Sequence, residues 1–581
     1  MPSKTCAPFV GVSCLFMLVL TILPACGKDE SSPKQNSGSP SSAFSPISDA
    51  NPKMDEVEEL TETVANRLIE FSYRLKERDL SSAADYVAEA FVGTEINSGT
   101  ATKTKQLPLG VIESLKETAF DAPLLDRAAF LRSLDETLAD FSTIDFVFFK
   151  TRGAEFNAKN DRALLRMTAS IIGTTVGGGQ RSLYVWADAA VSLGAEGWLL
   201  TGFKVKRTRD QQAANAFFTD VADAAGIAIE GPRVGTGGND KFYWRGSSVS
   251  DFDGDGLDDI FSSGFKRNYL YRNQGDGTFR EVAETFQLSK PAGPTSSLFF
   301  DFDRDGDQDL FMAFVGWEDD GVPSGGNLRL FRNDKKKFTD ITSEVGLDAF
   351  RGPAFSAIAG DFDQDGWLDV YVCNYERLDA AYPDSWFAAT NGSKNFLLMN
   401  KAGKSLVDEA ASRGIVGSHW TFAAAAADFD RDGDLDLYSV NDYGENALFV
   451  NDGTGHFVDR AKELGVLDCG NGMGASWGDF NGDGKLDLYV SNMSSSAGKR
   501  ILSRLAKKEV AQGVQKTLYK LAAGNSIFIF DGETFRPNPS AKGGRGASWA
   551  WSPVVFDADL DGNDDVYVAN GFISGDSLKD T

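Results

Sequence analysis

Asp251-Phe252-Asp253-Gly254-Asp255-Gly256-Leu257-Asp258-Asp259 is the first copy of a pattern, Asp-x-Asp-x-Asp-Gly-x-x-Asp, that recurs from Asp301, Asp361, Asp428, Asp479 and Asp557. Each copy follows a short apolar or small-residue run. Four carboxylates within nine residues repel one another unless a hard cation sits among them. Positions 1, 3, 5 and 9 turn side chains inward, the position-7 carbonyl adds an oxygen, and the glycine permits the sharp turn, which together predict an all-oxygen Ca²⁺ cage. The predicted ligands are Asp251, Asp253, Asp255 and Asp259; Asp301, Asp303, Asp305 and Asp309; Asp361, Asp363, Asp365 and Asp369; Asp428, Asp430, Asp432 and Asp436; Asp479, Asn481, Asp483 and Asp487; and Asp557, Asp559, Asp561 and Asp565. Up to six Ca²⁺ ions are expected. A merely solvated acidic surface would not keep this spacing through six copies.

The loop belongs to a longer unit. An apolar or small-residue strand enters it, as at 422–427, and a second leaves it, as at 368–372, 435–438 and 486–490. A third begins with asparagine, at 268–273, 327–333, 395–400, 446–451 and 525–530, and after a Gly/Asp turn a fourth follows, as at 338–341 and 457–459. Four short strands per repeat are the signature of a β-propeller. The loop starts lie 50, 60, 67, 51 and 78 residues apart, and the excess falls between strands two and three, at 317–326, 376–393 and 493–524. The last of these holds an expected helix with Ile501, Leu505, Val514 and Leu518 apolar. The acidic loops join strands one and two, so they occupy the face opposite the insertions, and variable loops are where binding usually resides. Residues 218–227 match the fourth-strand segment 338–347, whereas the sixth copy stops after Asn570. Residues 218–221 are therefore expected to close the last blade, in a ring of six blades or seven.

Composition narrows the partners. The 581 residues carry a formal charge of -26, of which the loops supply 23 acidic side chains, with Asn481 the single amide. Bound Ca²⁺ would neutralise about half of that ligand charge. A net-acidic chain argues against nucleic acid as partner, and two histidines leave little room for histidine chemistry. Residues 1–26 read as a targeting segment: Lys4, an apolar run from Phe9 to Leu23, then Leu23-Pro24-Ala25-Cys26. This end resembles a bacterial lipobox, which implies acylation of Cys26 and a lipid-anchored, extracytoplasmic protein of the cell envelope; an ordinary secretory signal cut nearby is the alternative. Residues 27–54 form a Ser/Pro-rich spacer. Of five cysteines, Cys373 and Cys469 remain beyond the leader, in different repeats, and nothing in the sequence pairs them.

Residues 55–212 read as a separate α+β domain. Leu60, Val64, Leu68, Phe71 and Leu75 share one helical face, a second helix is expected near 83–91, and Phe130, Leu131, Leu134 and Leu138 mark a third within 125–141. Strands are expected at 144–150, 162–172, 181–193 and 198–206, with a Gly-rich hairpin at 174–179. Helices followed by such a sheet resemble the nuclear-transport-factor-2-like (SnoaL-like) cone fold. That fold encloses a pocket, but no histidine lies in this segment, and Asp145 and Glu155 suit solvated strand positions better than a general base.

The acidic loops with their flanking strands, over 213–581, resemble the FG-GAP/VCBS-repeat proteins, whose animal relatives include integrin α-subunit propellers. Residues 472–479 and 491–498 are similar to the bacterial cartilage-acidic-protein (ASPIC/UnbV) group. The resemblance implies an integrin-α-like propeller with Ca²⁺ at each loop, and no single activity. The leading functional expectation is a surface-anchored, Ca²⁺-dependent binding, adhesion or scaffold protein for an extracytoplasmic protein or glycan. Trp317, Tyr375, Tyr382, Trp386, Trp420 and Trp549 are its candidate contacts, with inter-blade packing the plainer role for each. The rival is a Ca²⁺-dependent polysaccharide lyase or hydrolase. No nucleophile elbow, catalytic zinc spacing or acid/base pair supports it; His419 is the one candidate base, and His456 sits in a tight turn.

Overall fold

The structure is a computed structural model that describes residues 44, 47, 53–107, 110–119, 121–216, 218–228, 246–264, 267–316, 326–335, 337–376, 383–385, 388–494, 519–538 and 550–570. Cys26, all of the spacer but 44, 47, 53 and 54, Trp317, Tyr382, Trp386, Trp549 and the helix residues Ile501, Leu505, Val514 and Leu518 lie outside these residues. No helix among the described residues is long and apolar enough to cross a membrane.

The first part is a seven-stranded sheet with two long helices and a short one. Its strands are β1 (Val87–Gly93), β2 (Thr100–Gln106), β3 (Ile112–Glu117), β4 (Phe141–Phe156), β5 (Arg162–Thr175), β6 (Gln180–Gly194) and β7 (Gly197–Ala213). They run in the order β2-β3-β7-β6-β5-β4, with β1 parallel to β7. Helix Met54–Lys76 buries Val64, Leu68, Phe71 and Leu75 on the face its spacing predicts, and helix Arg127–Ala139 buries Phe130, Leu134 and Leu138. The helix expected near 83–91 is a correction. Helix Leu80–Ala83 and one 3-10 turn, Ala84–Tyr86, give way to β1, where Val87 and Phe91 are buried beside β7. β2 escaped the sequence reading because Thr100-Ala101-Thr102-Lys103-Thr104-Lys105-Gln106 is exposed throughout and has no apolar alternation to detect. Inside the sheet, Arg181 is held by both oxygens of buried Asp210, at 3.0 and 2.8 Å.

The second part is built of repeated sheets. The first sheet holds β8 (Ser247–Ser250), β9 (Asp259–Ser262), β10 (Tyr269–Asn273) and β11 (Phe279–Glu281); the second holds β12 (Ser296–Phe300), β13 (Asp309–Ala313), β15 (Arg329–Asn333) and β16 (Phe338–Asp340). A two-stranded ribbon pairs β14 (Gly326–Asn327) with β17 (Arg351–Gly352). The third sheet holds β18 (Ala354–Gly360), β19 (Asp369–Asn374), β20 (Phe396–Asn400) and β21 (Leu406–Asp408), and the fourth β22 (Trp420–Ala427), β23 (Asp436–Asp442), β24 (Ala447–Asn451) and β25 (Phe457–Asp459). The fifth holds β26 (Gly472–Gly478), β27 (Asp487–Asn492), β28 (Ser526–Phe530) and β29 (Phe535–Pro537); the last pairs only β30 (Ala550–Phe556) with β31 (Asp565–Asn570). First strands of successive sheets lie side by side, β8 by β12, β12 by β18, β18 by β22, β22 by β26 and β26 by β30, a β-propeller-like arrangement.

Residues 218–221, expected as a closing strand, are not one: they lie outside any strand, with Phe218 70% and Val221 57% exposed. Their equivalents Phe338 and Ile341 are buried against a third strand, and among the described residues the last sheet holds no third strand for 218–221 to join. Cys373, buried in β19, and Cys469 are both free thiols, and burial pushes the Cys373 thiol up to about 12.

Phenylalanine at loop position 2 ties neighbouring sheets together. Phe252 packs on Phe338, Phe362 on Phe457 and Phe429 on Phe535, at ring-centre distances of 6.2, 6.1 and 5.4 Å, each reaching the fourth-strand region of the next sheet.

Candidate metal centres and the opposite strand ends

All six acidic loops share one backbone shape. Position 4 and the position-6 glycine both lie in the left-handed region, and position 4 is Arg304, Gln364, Arg431 and Leu560 in four copies. A non-glycine residue there costs about 1–3 kcal/mol and persists only where surroundings dictate it. The dictating contacts come from the aspartates. Position-1 Oδ2 accepts the position-6 N–H in every copy, from 2.6 Å at Asp479 to 3.2 Å at Asp428. Position-5 Oδ1 accepts the position-7 N–H, also in every copy, at 2.9 to 3.2 Å.

Position 9 stands at the head of strand two. In five copies Oδ2 accepts the position-2 N–H, as in Phe302 to Asp309 at 2.9 Å, Asp436 being the exception. In the first five copies Oδ1 accepts an amide from the end of strand three, as in Asn333 to Asp309 at 2.7 Å. Burial drives these carboxyls upward despite their amide partners, Asp259 to about 6, Asp309 and Asp369 to about 7, and Asp436 to about 8.

The fit to a cation is visible in what lacks a partner. Oδ1 of position 3 is buried without a hydrogen bond in Asp253, Asp303, Asp363 and Asp559, as are Oδ1 of Asp361 and Asp428. A buried anionic oxygen facing other carboxylates is costly unless a cation meets it. Three carboxylates offer oxygens within 4.8 Å of one another in five loops: Asp251, Asp253 and Asp255; Asp301, Asp303 and Asp309; Asp361, Asp363 and Asp365; Asp428, Asp430 and Asp432; and Asp557, Asp559 and Asp565. The all-oxygen set suits a hard ion such as Ca²⁺. The fifth loop does not gather three carboxylates. There Asn481 spends its oxygen on the Asp483 N–H at 2.8 Å, and Lys485 holds Asp483 at 3.1 Å. Two other loops are partly neutralised by arginine: Arg272 reaches Asp253 and Asp255, and Arg413 reaches Asp363.

The opposite strand ends carry a different chemistry. Tyr375 packs edge-on against Trp420 and Phe422, Phe422 lies 4.0 Å from Phe355 between ring centres, and Trp551 closes on Phe422 at 5.6 Å. Trp420 is 2% exposed and its Nε1 donates to Asn391 at 3.0 Å, so it is packed core, and Tyr375 is half-buried in the same cluster. Both thus take the packing role that was the plainer reading for each, rather than that of an exposed stacking residue. Asp442, at the end of β23, is buried beneath them. It accepts from the Tyr375 hydroxyl at 2.8 Å and the Asn471 amide at 3.0 Å, and burial raises its carboxyl to about 6. Burial likewise raises Glu376 to about 7. Glu376 and Tyr443 follow the two strands with φ of 48° and 56°, which β-strand geometry does not require and the sequence does not announce. His419 is half-buried and its burial lowers its pKa.

The FG-GAP-like repeat family matches residues 251–312, 314–372 and 428–490. Cartilage acidic protein 1 of Mus musculus is 31% identical over 206 residues, covering 33% of this chain and 30% of the relative; that of Homo sapiens is 28% identical over 199 residues, 33% and 29%. The chain thus spans about a third of the length of these relatives. Among solved structures, an Agrocybe aegerita lectin that recognises non-reducing terminal N-acetylglucosamine overlaps 75% of this chain and 93% of its own, at 12% identity and a TM-score of 0.30, too distant to carry an argument. The repeats, their register and the relatives agree: residues 251–312, 314–372 and 428–490 are FG-GAP-like repeats, and the chain is similar over part of its length to cartilage acidic protein 1.

Proposed function

We propose that this protein is a Ca²⁺-loaded β-propeller of six blades, held at the cell envelope by lipid on Cys26, that binds an extracytoplasmic partner as a scaffold or adhesion module. The cone-like reading of residues 55–212 belongs to the same proposal. Ca²⁺ fixes the acidic face, and recognition falls to the opposite strand ends. The observation that carries this is the pair of bulky residues in left-handed backbone, Glu376 and Tyr443, the second of which follows buried Asp442 and donates its N–H to it; strain of this kind collects at functional sites. With Trp420 buried and Tyr375 tied to Asp442, a protein partner suits this face better than a stacked sugar. Envelope proteins cross-linked to the Ca²⁺-loaded chain, alongside a glycan array and a polysaccharide-degradation assay, test it. Retention of a protein partner that EGTA abolishes is expected; retention indifferent to EGTA, or a glycan as the bound species, sinks the reading.

The hydrolase or lyase alternative rests on Asp442 and Glu376, two carboxyls raised toward neutrality beside Tyr443. If they form an acid/base pair, Glu376→Gln removes the upper limb of a bell-shaped pH profile and lowers turnover on the order of 100-fold or more. Absence of any polysaccharide cleavage by the unaltered chain between pH 5 and 8 rejects it.

A further inference from the structure

Glycine is the easiest residue at the left-handed position 4 of the acidic loops, yet only the first and fifth loops carry it, as Gly254 and Gly482. The second, third and fourth carry Arg304, Gln364 and Arg431 there, all three exposed. Each of these side chains reaches the loop of the following sheet. Arg304 lies over the Trp367 ring, 5.2 Å from its centre, and its Nη1 is 3.1 Å from where a Cβ would stand at Gly366. Gln364 donates from Nε2 to the Gly433 carbonyl at 3.0 Å. Arg431 brings Nη2 to 3.9 Å from the Cβ position of Gly484. The target is the same each time, positions 6 and 7 of the next loop; Leu560, in the sixth, is 89% exposed.

What is touched bears directly on the expected ligands. The peptide unit joining positions 6 and 7 gives its N–H to the position-5 aspartate and leads into the position-7 carbonyl. In the fourth loop that unit is held at both ends, its carbonyl by Gln364 and its N–H, from Asp434, by Asp432 Oδ1 at 3.2 Å. In the third loop the Trp367 N–H donates to Asp365 Oδ1 at 2.9 Å while Arg304 covers the Trp367 ring. Gly403 also wedges the second and third loops together: a Cβ there would stand 2.8 Å from Trp367 Cζ3 and 3.0 Å from Asp303 Cα. Arg304 and Gln364 project this way from left-handed backbone, which their own loops maintain by winding round Asp301 and Asp361.

We propose that the second, third and fourth loops take up Ca²⁺ as one cooperative series, with Arg304 and Gln364 as the positioning residues that carry the coupling; this rests on the Ca²⁺ reading of the loops. A wound loop sets its position-4 backbone, and the side chain there fixes the 6–7 peptide of the next loop. The next loop is then part-organised before it binds, which is positive cooperativity. Coupling of this kind is reciprocal, so a filled fourth loop raises the affinity of the third by the same factor. The series stops there, because the fifth loop does not gather three carboxylates. The first loop, whose Gly254 has no side chain to reach onward, fills on its own.

Amide exchange of the full chain over 251–259, 361–369 and 428–436, followed by mass spectrometry against rising free Ca²⁺, gives each loop its own midpoint and slope. In the parent chain the third and fourth loops are expected to gain protection together, more steeply than a single site allows, and the first with a single-site slope. Gln364→Gly copies the residue that the first and fifth loops carry, so it relieves left-handed strain in the third loop instead of adding it. It is expected to raise the midpoints at both 361–369 and 428–436 about fivefold, to flatten both curves, and to leave the first loop unmoved. A brace without coupling would move only the loop that loses the hydrogen bond, so a shift confined to 428–436 overturns the inference, as do curves that superimpose on the parent's. Arg304→Gly repeats the comparison one loop earlier, with 301–309 and 361–369 expected to shift together. Single-site slopes in the parent refute the coupling alone, whatever the variants do; no Ca²⁺-dependent protection in any loop refutes the metal assignment and the coupling with it.

Discussion

Removing Ca²⁺ from the folded chain is expected to lower its melting midpoint by about 10 °C or more, and to invert the way that midpoint depends on pH. One site held at about a thousand times its Kd adds about 4 kcal/mol, and each kcal/mol moves the midpoint of a domain of some 150–250 residues by about 2–4 °C. Five loops gather three carboxylates, and each of the five holds at least one buried oxygen without a hydrogen-bond donor, so the total loss is larger than one site's share. The inversion comes from position 9. In the metal-free protein, burial holds Asp259 near 6, Asp309 and Asp369 near 7 and Asp436 near 8, all above the unfolded value of about 3.9. The folded state then keeps protons that the unfolded state releases, so these groups' contribution is complete below about pH 4 and fades as pH climbs through 6 to 8. Metal-stripped protein should therefore melt higher at pH 5.5 than at pH 8. With saturating Ca²⁺ the order reverses, because protons compete with the ion for the same oxygens. Melts at both pH values, with and without the ion, decide it; a midpoint indifferent to chelation rejects the metal assignment.

The sequence made the repeat legible because two signals coincide in it, the acidic spacing and the apolar strands on either side. Strand two was placed in the three copies where it was read, at 368–372, 435–438 and 486–490, since Val370, Leu437 and Leu488 sit in mostly apolar runs that end on buried Asn or Asp. What stayed hidden is information that composition does not carry. The left-handed residue at position 4 is arginine, glutamine or leucine in four copies and glycine in two, because aspartate hydrogen bonds, and not side-chain identity, impose the backbone. β2 is exposed along its length and leaves no period. Trp420 looked available for a ligand because aromatic residues near loops read alike whether they face solvent or a neighbouring sheet. Residues 218–221 matched a fourth strand in pattern, yet a strand needs its neighbour, and pattern alone cannot supply one.

The asparagines that end third strands were visible as a motif without a role, and that role predicts the second large effect. Asn400 is buried; its Nδ2 donates to the Phe302 carbonyl of the preceding loop at 2.9 Å and to Leu368 at 3.1 Å, while its Oδ1 accepts the Gly403 N–H at 2.8 Å. Asn333 and Asn451 bridge to Phe252 and Phe362 in the same way, at 2.7 and 2.8 Å. Asn400→Ala leaves two carbonyls and one amide buried without partners, at about 1–3 kcal/mol each, so a loss of about 3 kcal/mol or more is expected in urea unfolding. Asp restores only the acceptor and sets a negative charge against two carbonyls, so Asn400→Asp should fare no better. Asn273 supplies the control: in the first sheet it bonds Asp258 at 2.9 Å and Gly275 at 3.0 Å, with no preceding carbonyl among its described partners, and it is only half-buried. Asn273→Ala should cost about 1 kcal/mol or less, since water can replace what it loses. Both variants are measured in saturating Ca²⁺, which holds the metal contribution constant, and their m-values should match the parent's if only stability has changed. Equal losses at the two positions would show that the asparagine serves its own turn, and that the sheets are joined by phenylalanine packing and metal alone.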